Sequence, residues 1–107
     1  MKLVLAIVSN EDSQAVTIEL NKAGFSVTKL ATTGGFLKAG NTTLICGVED
    51  EKVKEVIDII GKESSRRTEI IPSTTSYDIG RFAAYPIEVQ VGGATLFILN
   101  VEQFLKL

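Results

Sequence analysis

The chain has 107 residues and a formal net charge of −2, with 45% hydrophobic and 22% charged residues. This length predicts one folded domain, and the balanced composition excludes an intrinsically disordered chain. The low charge gives no electrostatic basis for binding nucleic acid or an anionic membrane surface. No apolar run reaches the roughly 20 residues that cross a bilayer. Since the sequence has one cysteine, no internal disulfide can form, and we expect a cytoplasmic protein.

The first half of the chain predicts a strand, a helix and two further strands. An apolar run at residues 2–8 indicates a strand that is buried on both faces. Ser9 or Asn10 can cap the helix that follows, and its apolar residues recur at helical spacing. The next two strands are expected over residues 25–32 and 41–48.

A second helix and a long connection follow. Acidic residues at 49–51 suit the first turn of a helix, and the apolar positions after them follow the spacing i, i+3, i+4, i+7. Gly61 is expected to end this helix. Residues 62–85 combine mixed charge with Ser and Thr clusters and no sustained period. This pattern predicts a long flexible loop.

The last part of the chain predicts a β-hairpin. Residues 87–91 alternate between apolar and polar side chains, as in a half-buried strand. Gly92 and Gly93 suit a two-residue hairpin connection, because positive φ costs glycine little. Residues 94–99 then form the last strand, and residues 101–107 suit a single helical turn.

This order of elements predicts an α+β fold. The sequence β-α-β-β-α-β, with one extra strand from the terminal hairpin, is typical of a ferredoxin-like sandwich with both helices on one face of an antiparallel sheet. The predicted strands carry apolar residues on both faces. We therefore expect the face without helices to be covered, for which a closed cyclic oligomer is a frequent solution.

The segment LATTGGFLKAGNTTLICGV at residues 30–48 holds a near match to a phosphate-binding loop. Gly35 and Gly40 have the spacing of the G-x-x-x-x-G-K-[ST] motif, with Thr42 at the hydroxyl position. Asn41 stands in place of the lysine that reaches the phosphates. A strand rather than a helix is predicted to follow, so the segment does not indicate nucleotide hydrolysis.

Two other interpretations of this segment remain open. Its glycines suit a simple hairpin loop between two strands. That interpretation leaves Phe36 and Leu37 exposed at a loop tip, which is costly unless they contact something. The alternative is a neutral recognition surface, in which hydroxyl and amide groups such as Thr28 and Asn41 bind a base and an aromatic ring stacks on it. The chain has no histidine and no acid–base pair, so we expect no enzyme and no metal site.

The segments TKLATTGGFLKAGNTTLICGV and YPIEVQVGGATLFIL closely resemble the bacterial PII-like cyclic di-AMP receptor family. The resemblance covers the chain apart from residues 62–85. It implies ferredoxin-like subunits that form a homotrimer and bind cyclic di-AMP in the clefts between neighbours. Members of the family are signal receptors that are not known for catalysis, and no cofactor besides this ligand is implied.

The resemblance also implies which residues bind the ligand. Thr28 and Asn41 would hydrogen-bond one adenine, and Gly47 would permit close approach of the ligand or a neighbouring strand. The remaining positions would form the wall of the pocket and an apolar contact from the last strand: Gly35, Phe36, Leu37 and Phe97. Ser26 stands where some relatives carry arginine, so an ionic contact to phosphate from this strand is in doubt.

Residues 62–85 resemble the flexible loop of the family. Such a loop would respond to the ligand and present a surface to a downstream protein partner that the sequence does not identify. Two other functions remain open. One is a trimeric protein-interaction module in which Phe36 and Leu37 pack at the interface, and the other is a PII-like regulator that binds ATP.

Overall fold

A computed structural model of the chain describes residues 1–30, 40–65, 67–71 and 87–107. A short 3-10 turn, Asp50–Lys52, leads into the second helix. The strands and helices follow one another in the order β1 (Lys2–Ser9), α1 (Asn10–Lys22), β2 (Thr28–Leu30), β3 (Asn41–Val48), α2 (Val53–Ser64), β4 (Arg67–Ile71), β5 (Ile87–Val91) and β6 (Ala94–Asn100).

The strands form two antiparallel sheets. The larger sheet has four strands in the order β2-β3-β1-β6, and β4 pairs with β5 in a separate two-stranded ribbon. In the larger sheet, the first and last strands of the chain are neighbours, and the two middle strands continue the sheet on the other side. This is the ferredoxin-like order, so the prediction of an α+β ferredoxin-like fold is confirmed. The ribbon is inserted between α2 and β6.

The core lies between the larger sheet and the two helices. Val4, Ala6 and Val8 alternate along β1 and are buried, since successive side chains of a strand point to opposite faces. The rest of the buried apolar cluster comes from β3 and from the inner faces of both helices: Leu44, Cys46, Val48, Val16, Leu20, Val56 and Ile60. One face of the sheet is therefore covered by helices.

The prediction of a cap at the start of α1 is confirmed for Ser9. Its hydroxyl oxygen accepts a hydrogen bond from the backbone N–H of Asp12 at 3.3 Å. The same hydroxyl donates to Asp12 Oδ2 at 3.0 Å. This reciprocal arrangement satisfies a backbone donor in the first helical turn and fixes the Asp12 carboxylate.

The predicted end of α2 and the predicted start of the long connection were both wrong. Gly61 lies inside α2, which continues to Ser64, and the Ser64 hydroxyl donates to the Ile60 carbonyl oxygen. A glycine ends a helix when it takes positive φ, and Gly61 does not. Residues 67–71 form β4 rather than an irregular loop. The remainder of the predicted loop, residue 66 and residues 72–85, lies outside the described residues.

The prediction of a terminal hairpin was also wrong. Residues 87–91 and 94–100 are strands, but β5 pairs with β4 while β6 pairs with β1. Gly92 and Gly93 therefore join two sheets, with φ values of 84° and 89°. The residues after β6 form no helix. At the other end of the sheet, β2 begins at Thr28, later than expected.

Candidate functional site

In the part of the chain that the structure describes, both helices pack on one face of the larger sheet and leave the other face uncovered. Leu3, Leu5 and Ile7 of β1 point to this face, opposite to the buried side chains of the same strand, and they are only half-buried. Three large apolar side chains on the face are more exposed still: Leu30 at 40%, Phe97 at 52% and Leu99 at 46%. An exposed apolar surface of this kind is a candidate interaction site. We call it the uncovered face.

The strand register places each predicted ligand-binding residue that the structure describes on the uncovered face. Thr28 lies opposite Ile45, which in turn lies opposite Leu5. Phe97 lies on the other side of Leu5, so Thr28 and Phe97 stand at the two ends of one row across the sheet. The same alternation puts Gly47 and Asn41 of β3 on this face. The predicted wall residues lie outside the described part of the chain: Gly35, Phe36 and Leu37.

Among the described residues, one chain does not bring Thr28, Asn41 and Phe97 together. Asn41 precedes Ile45 by four residues on β3, which corresponds to about 13 Å along the strand. Thr28, opposite Ile45, is therefore too far from Asn41 for both to bond the same edge of one adenine. Thr28 and Phe97 are three strands apart, a distance of about 14 Å. The close pair is Thr28 and Gly47.

Thr28 and Gly47 share a groove of about 630 Å³ at one end of the sheet, which we call the Thr28 groove. Its volume lies in the usual range for small-molecule sites, about 300–1,000 Å³. The C-terminal segment closes one side with Phe104, which is 64% exposed. The other lining residues are mostly apolar: Met1, Leu3, Gly24, Phe25, Ser26, Ile45, Val101, Leu105 and Lys106.

Asn41 lines a different and smaller groove of about 390 Å³ at the opposite end of the sheet. We call it the Asn41 groove. Its walls are Ile7, Thr95 and the backbone of the joint between the ribbon and β6, residues 92–94. Asn41 is half-buried there, and its amide supplies both a hydrogen-bond donor and an acceptor. A ligand in this groove would lie against the joint of the ribbon.

Comparison with known proteins identifies the family. A family model described as cyclic-di-AMP receptor matches residues 1–107. The chain belongs to the cyclic-di-AMP receptor family. The same fold occurs in the crystal structure of a functionally unknown protein from Pediococcus pentosaceus, which is 44% identical in sequence with a TM-score of 0.77. That comparison covers 99% of this chain and 96% of the other.

The resemblance seen in the sequence is thus confirmed at the level of the family, which consists of receptors for cyclic di-AMP rather than enzymes. Burial raises the pKa of the Cys46 thiol, which disfavours the nucleophilic thiolate. Among residues 1–30, 40–65, 67–71 and 87–107, no group of His, Cys, Asp and Glu could hold a metal ion. In the same residues, no helix is long and apolar enough to span a membrane.

In this member of the receptor family, packing within one chain does not require glycine at position 47. A Cβ atom at Gly47 would meet one atom, Met1 Cε, at the ordinary contact distance of 3.5 Å. Gly47 is exposed and does not take positive φ. Among the described residues, no other atom lies within 4 Å of that Cβ position, so they leave the space over Gly47 open. The role that the resemblance implies for Gly47 stays a prediction.

The lining residues Phe104 and Lys106 were not predicted from the sequence of this receptor-family chain. They belong to a short C-terminal segment that matches no motif and has no clear period. Just before this segment, the N–H of Val101 donates to the Met1 carbonyl oxygen at 3.1 Å. This bond continues the antiparallel pairing of β6 with β1 one residue beyond Lys2 and Asn100. The segment that follows therefore leaves the sheet at the end where the Thr28 groove lies.

Proposed function

We propose that this chain is a cytoplasmic signal receptor that binds cyclic di-AMP in the clefts between subunits of a homotrimer. Binding is relayed through loop rearrangement to a downstream protein partner, and the chain catalyses no reaction. The observation that carries the proposal is the family match over residues 1–107. The geometry of the uncovered face supports the intersubunit location.

The separation of Thr28 from Asn41 is the first support for a site between subunits. Each groove holds half of the polar groups that would bind the ligand, and one chain keeps them about 13 Å apart along β3. Packing of the uncovered face against a neighbour would also bury Leu30 and Leu99, whose exposure is costly in a monomer. A site that joins the Thr28 groove of one subunit to the Asn41 groove of the next satisfies both conditions.

The side chains available suit a nucleotide with two adenines and two phosphates. The Thr28 hydroxyl and the Asn41 amide can read the polar edges of adenine, since each can donate and accept. Phe97 and Phe104 are exposed aromatic rings on which a base can stack. Lys106 lines the Thr28 groove together with Ser26 and provides a cation for a phosphate there.

The ribbon gives the ligand a route to a partner. The Asn41 groove is bounded by Gly92 and Gly93, the joint that connects the ribbon to the larger sheet. A ligand that contacts this joint acts on the two strands that flank residues 72–86. We therefore expect bound and free forms to differ in the orientation of the ribbon and in the surface offered to a protein partner.

A competition experiment tests the function against its alternatives. Fluorescently labelled cyclic di-AMP is bound to the protein and displaced with unlabelled cyclic di-AMP or with ATP. Displacement by cyclic di-AMP at concentrations far below those of ATP is the expected result. Displacement by both at similar concentrations would favour a PII-like ATP regulator. A folded protein that binds neither nucleotide would be a protein-interaction module.

A further inference from the structure

Asn10, the first residue of α1, is bonded to the residues on both sides of Asn41. Its backbone N–H donates to the carbonyl oxygen of Gly40 at 2.7 Å. Its side-chain oxygen Oδ1 accepts a hydrogen bond from the hydroxyl of Thr42. Two hydrogen bonds from Asn10 of α1 thus hold the chain immediately before and immediately after Asn41.

Asn10 is itself held in place. Its carbonyl oxygen accepts a hydrogen bond from the Ser13 hydroxyl at 3.1 Å, and Ser13 is 3% exposed. Thr42 is equally enclosed, at 2% exposure, on the helix-covered face of β3. Because neighbouring side chains of a strand point to opposite faces, Asn10 and Thr42 act from the side of the sheet that faces away from the Asn41 amide. Neither of them lines the Asn41 groove.

We infer that Asn10 and Thr42 are positioning residues for the ligand, through the orientation of Asn41. This inference rests on the proposed function, in which Asn41 hydrogen-bonds adenine. A hydrogen bond to a base depends steeply on angle, so a small rotation of the backbone at residue 41 weakens it. The two hydrogen bonds of Asn10 to Gly40 and Thr42 restrict this rotation before the ligand binds. The conformational entropy of residue 41 is therefore lost on folding rather than on binding.

Thr42→Val is the most informative substitution. Valine has nearly the shape of threonine and suits a buried strand position, but it cannot donate to Asn10 Oδ1. We expect Thr42→Val to weaken cyclic di-AMP binding about tenfold, the size of effect that one hydrogen bond supplies. Thr42→Ser keeps the hydroxyl and should retain most of the affinity, which a purely structural role of residue 42 in packing would not explain.

Asn10→Ala removes the acceptor at an exposed position and provides an independent test. We expect the same loss of affinity as for Thr42→Val. The double variant should bind no more weakly than either single variant, because both remove the same hydrogen bond. The side-chain amide signal of Asn41 in nuclear magnetic resonance spectra of the free protein should shift in Thr42→Val and stay in place in Thr42→Ser.

Calorimetric titration of the wild type, the three single variants and the double variant with cyclic di-AMP separates this inference from the proposed function. If the wild type, Thr42→Val and Asn10→Ala all bind cyclic di-AMP with equal affinity, the positioning role is overturned and the receptor function stands. Wild-type protein that does not bind would overturn the function itself. If Thr42→Val fails to fold, affinity of Asn10→Ala equal to that of wild type overturns the inference by itself.

Discussion

The Asp12 carboxylate and the Arg67 guanidinium join α1 to the ribbon, with Arg67 Nη2 donating to Asp12 Oδ1 at 2.8 Å. A second guanidinium nitrogen, Nη1, lies 3.4 Å from Asp12 Oδ2 and donates to the Ser65 carbonyl oxygen at 3.2 Å. Asp12 is 6% exposed and belongs to the first turn of α1. The first turn of α1 therefore holds the base of the ribbon through Asp12 and the start of β3 through Asn10.

The first prediction concerns the stability that Arg67 contributes. Arg67→Met keeps most of the aliphatic stem and leaves the buried Asp12 carboxylate without its cation. Since the Arg67 side chain is 39% exposed, solvent screening limits the loss, and we expect the free energy of unfolding to fall by about 1–2 kcal/mol. Urea denaturation of the wild type and of Arg67→Met measures this difference in the free energy of unfolding.

Lys54→Met provides the matched control for Arg67→Met. Lys54 pairs with Asp58 at 3.2 Å, but the two side chains are 86% and 64% exposed. An exposed pair of this kind contributes little, so the change should stay within about 0.5 kcal/mol. Equal effects of the two substitutions would mean that the Arg67 pair does not stabilise the fold.

The second prediction is a loss of stability at acidic pH that depends on Asp12. The hydrogen bond from Arg67, assisted by Ser9 and by the charge of the guanidinium, holds the pKa of Asp12 below its ordinary value. A group whose pKa is lowered in the folded state stabilises the fold above its unfolded pKa, about 3.9 for aspartate. That contribution is lost as the pH falls through the lower pKa of the folded state.

Asp12→Asn should therefore flatten the acidic limb of a plot of melting temperature against pH. The N-terminal amine likewise lowers the pKa of Asp50. That residue titrates in both proteins, so the difference between wild type and Asp12→Asn isolates Asp12. Parallel curves over the whole acidic range would show that the Asp12 carboxylate contributes no pH-dependent stability.

The third prediction concerns the joint of the ribbon. A Cβ atom at Gly92 would lie 2.6 Å from Arg67 Nη1 and 2.7 Å from the Ser65 carbonyl oxygen, and φ at this glycine is 84°. Gly92→Ala should reduce the free energy of unfolding by more than about 1 kcal/mol. The added Cβ must displace a backbone atom, and alanine at residue 92 must adopt a strained positive φ.

Gly61→Ala is the comparison for Gly92→Ala. Gly61 lies inside α2, and a Cβ atom there would meet no atom of the described residues within 4 Å. Alanine favours a helix interior over glycine, so thermal denaturation should show a gain of about 0.5–1 kcal/mol. A loss at Gly61, or no change at Gly92, would contradict the described geometry of these two positions.

The fourth prediction tests the uncovered face as the trimer interface. Leu99→Asp places a charge on that face, at a position that is 46% exposed in one chain. Sedimentation velocity should show a trimer for the wild type and a smaller species for Leu99→Asp, since burying an unpaired carboxylate is costly. Ile57→Asp, at 39% exposure on α2, should remain a trimer. A monomeric wild type would refute the intersubunit site.

Local patterns in the sequence predicted most of the elements but not how the last strands pair. Alternating apolar and polar residues at 87–91, followed by two glycines, are typical both of a hairpin and of a link between two sheets. The choice depends on Arg67 and the other residues of β4, which lie far away in the chain and offer β5 a partner. Gly61 was misjudged because a helix interior tolerates glycine when the residues after it continue to pack.

The residues of the candidate site were proposed from the sequence, but their arrangement in space could not be. Thr28, Asn41 and Phe97 were identified by type and by family resemblance, and the register places them on one face. Their separation appears only when the strands are paired. Lys106 lines the Thr28 groove because of the path that the C-terminal segment takes after β6. The sequence carries no local signal for that path.

Calorimetric titration of mixed subunits tests the intersubunit site most directly. Thr28→Val and Asn41→Ala chains are prepared separately, then unfolded and refolded together in equal amounts. Each variant alone should bind cyclic di-AMP weakly. In the mixture, random assembly should regenerate about a quarter of the wild-type sites, each with an intact Thr28 from one chain and an intact Asn41 from its neighbour. No recovery of tight binding in mixed trimers, or no heat from the wild type itself, would contradict a cyclic di-AMP site built by two subunits.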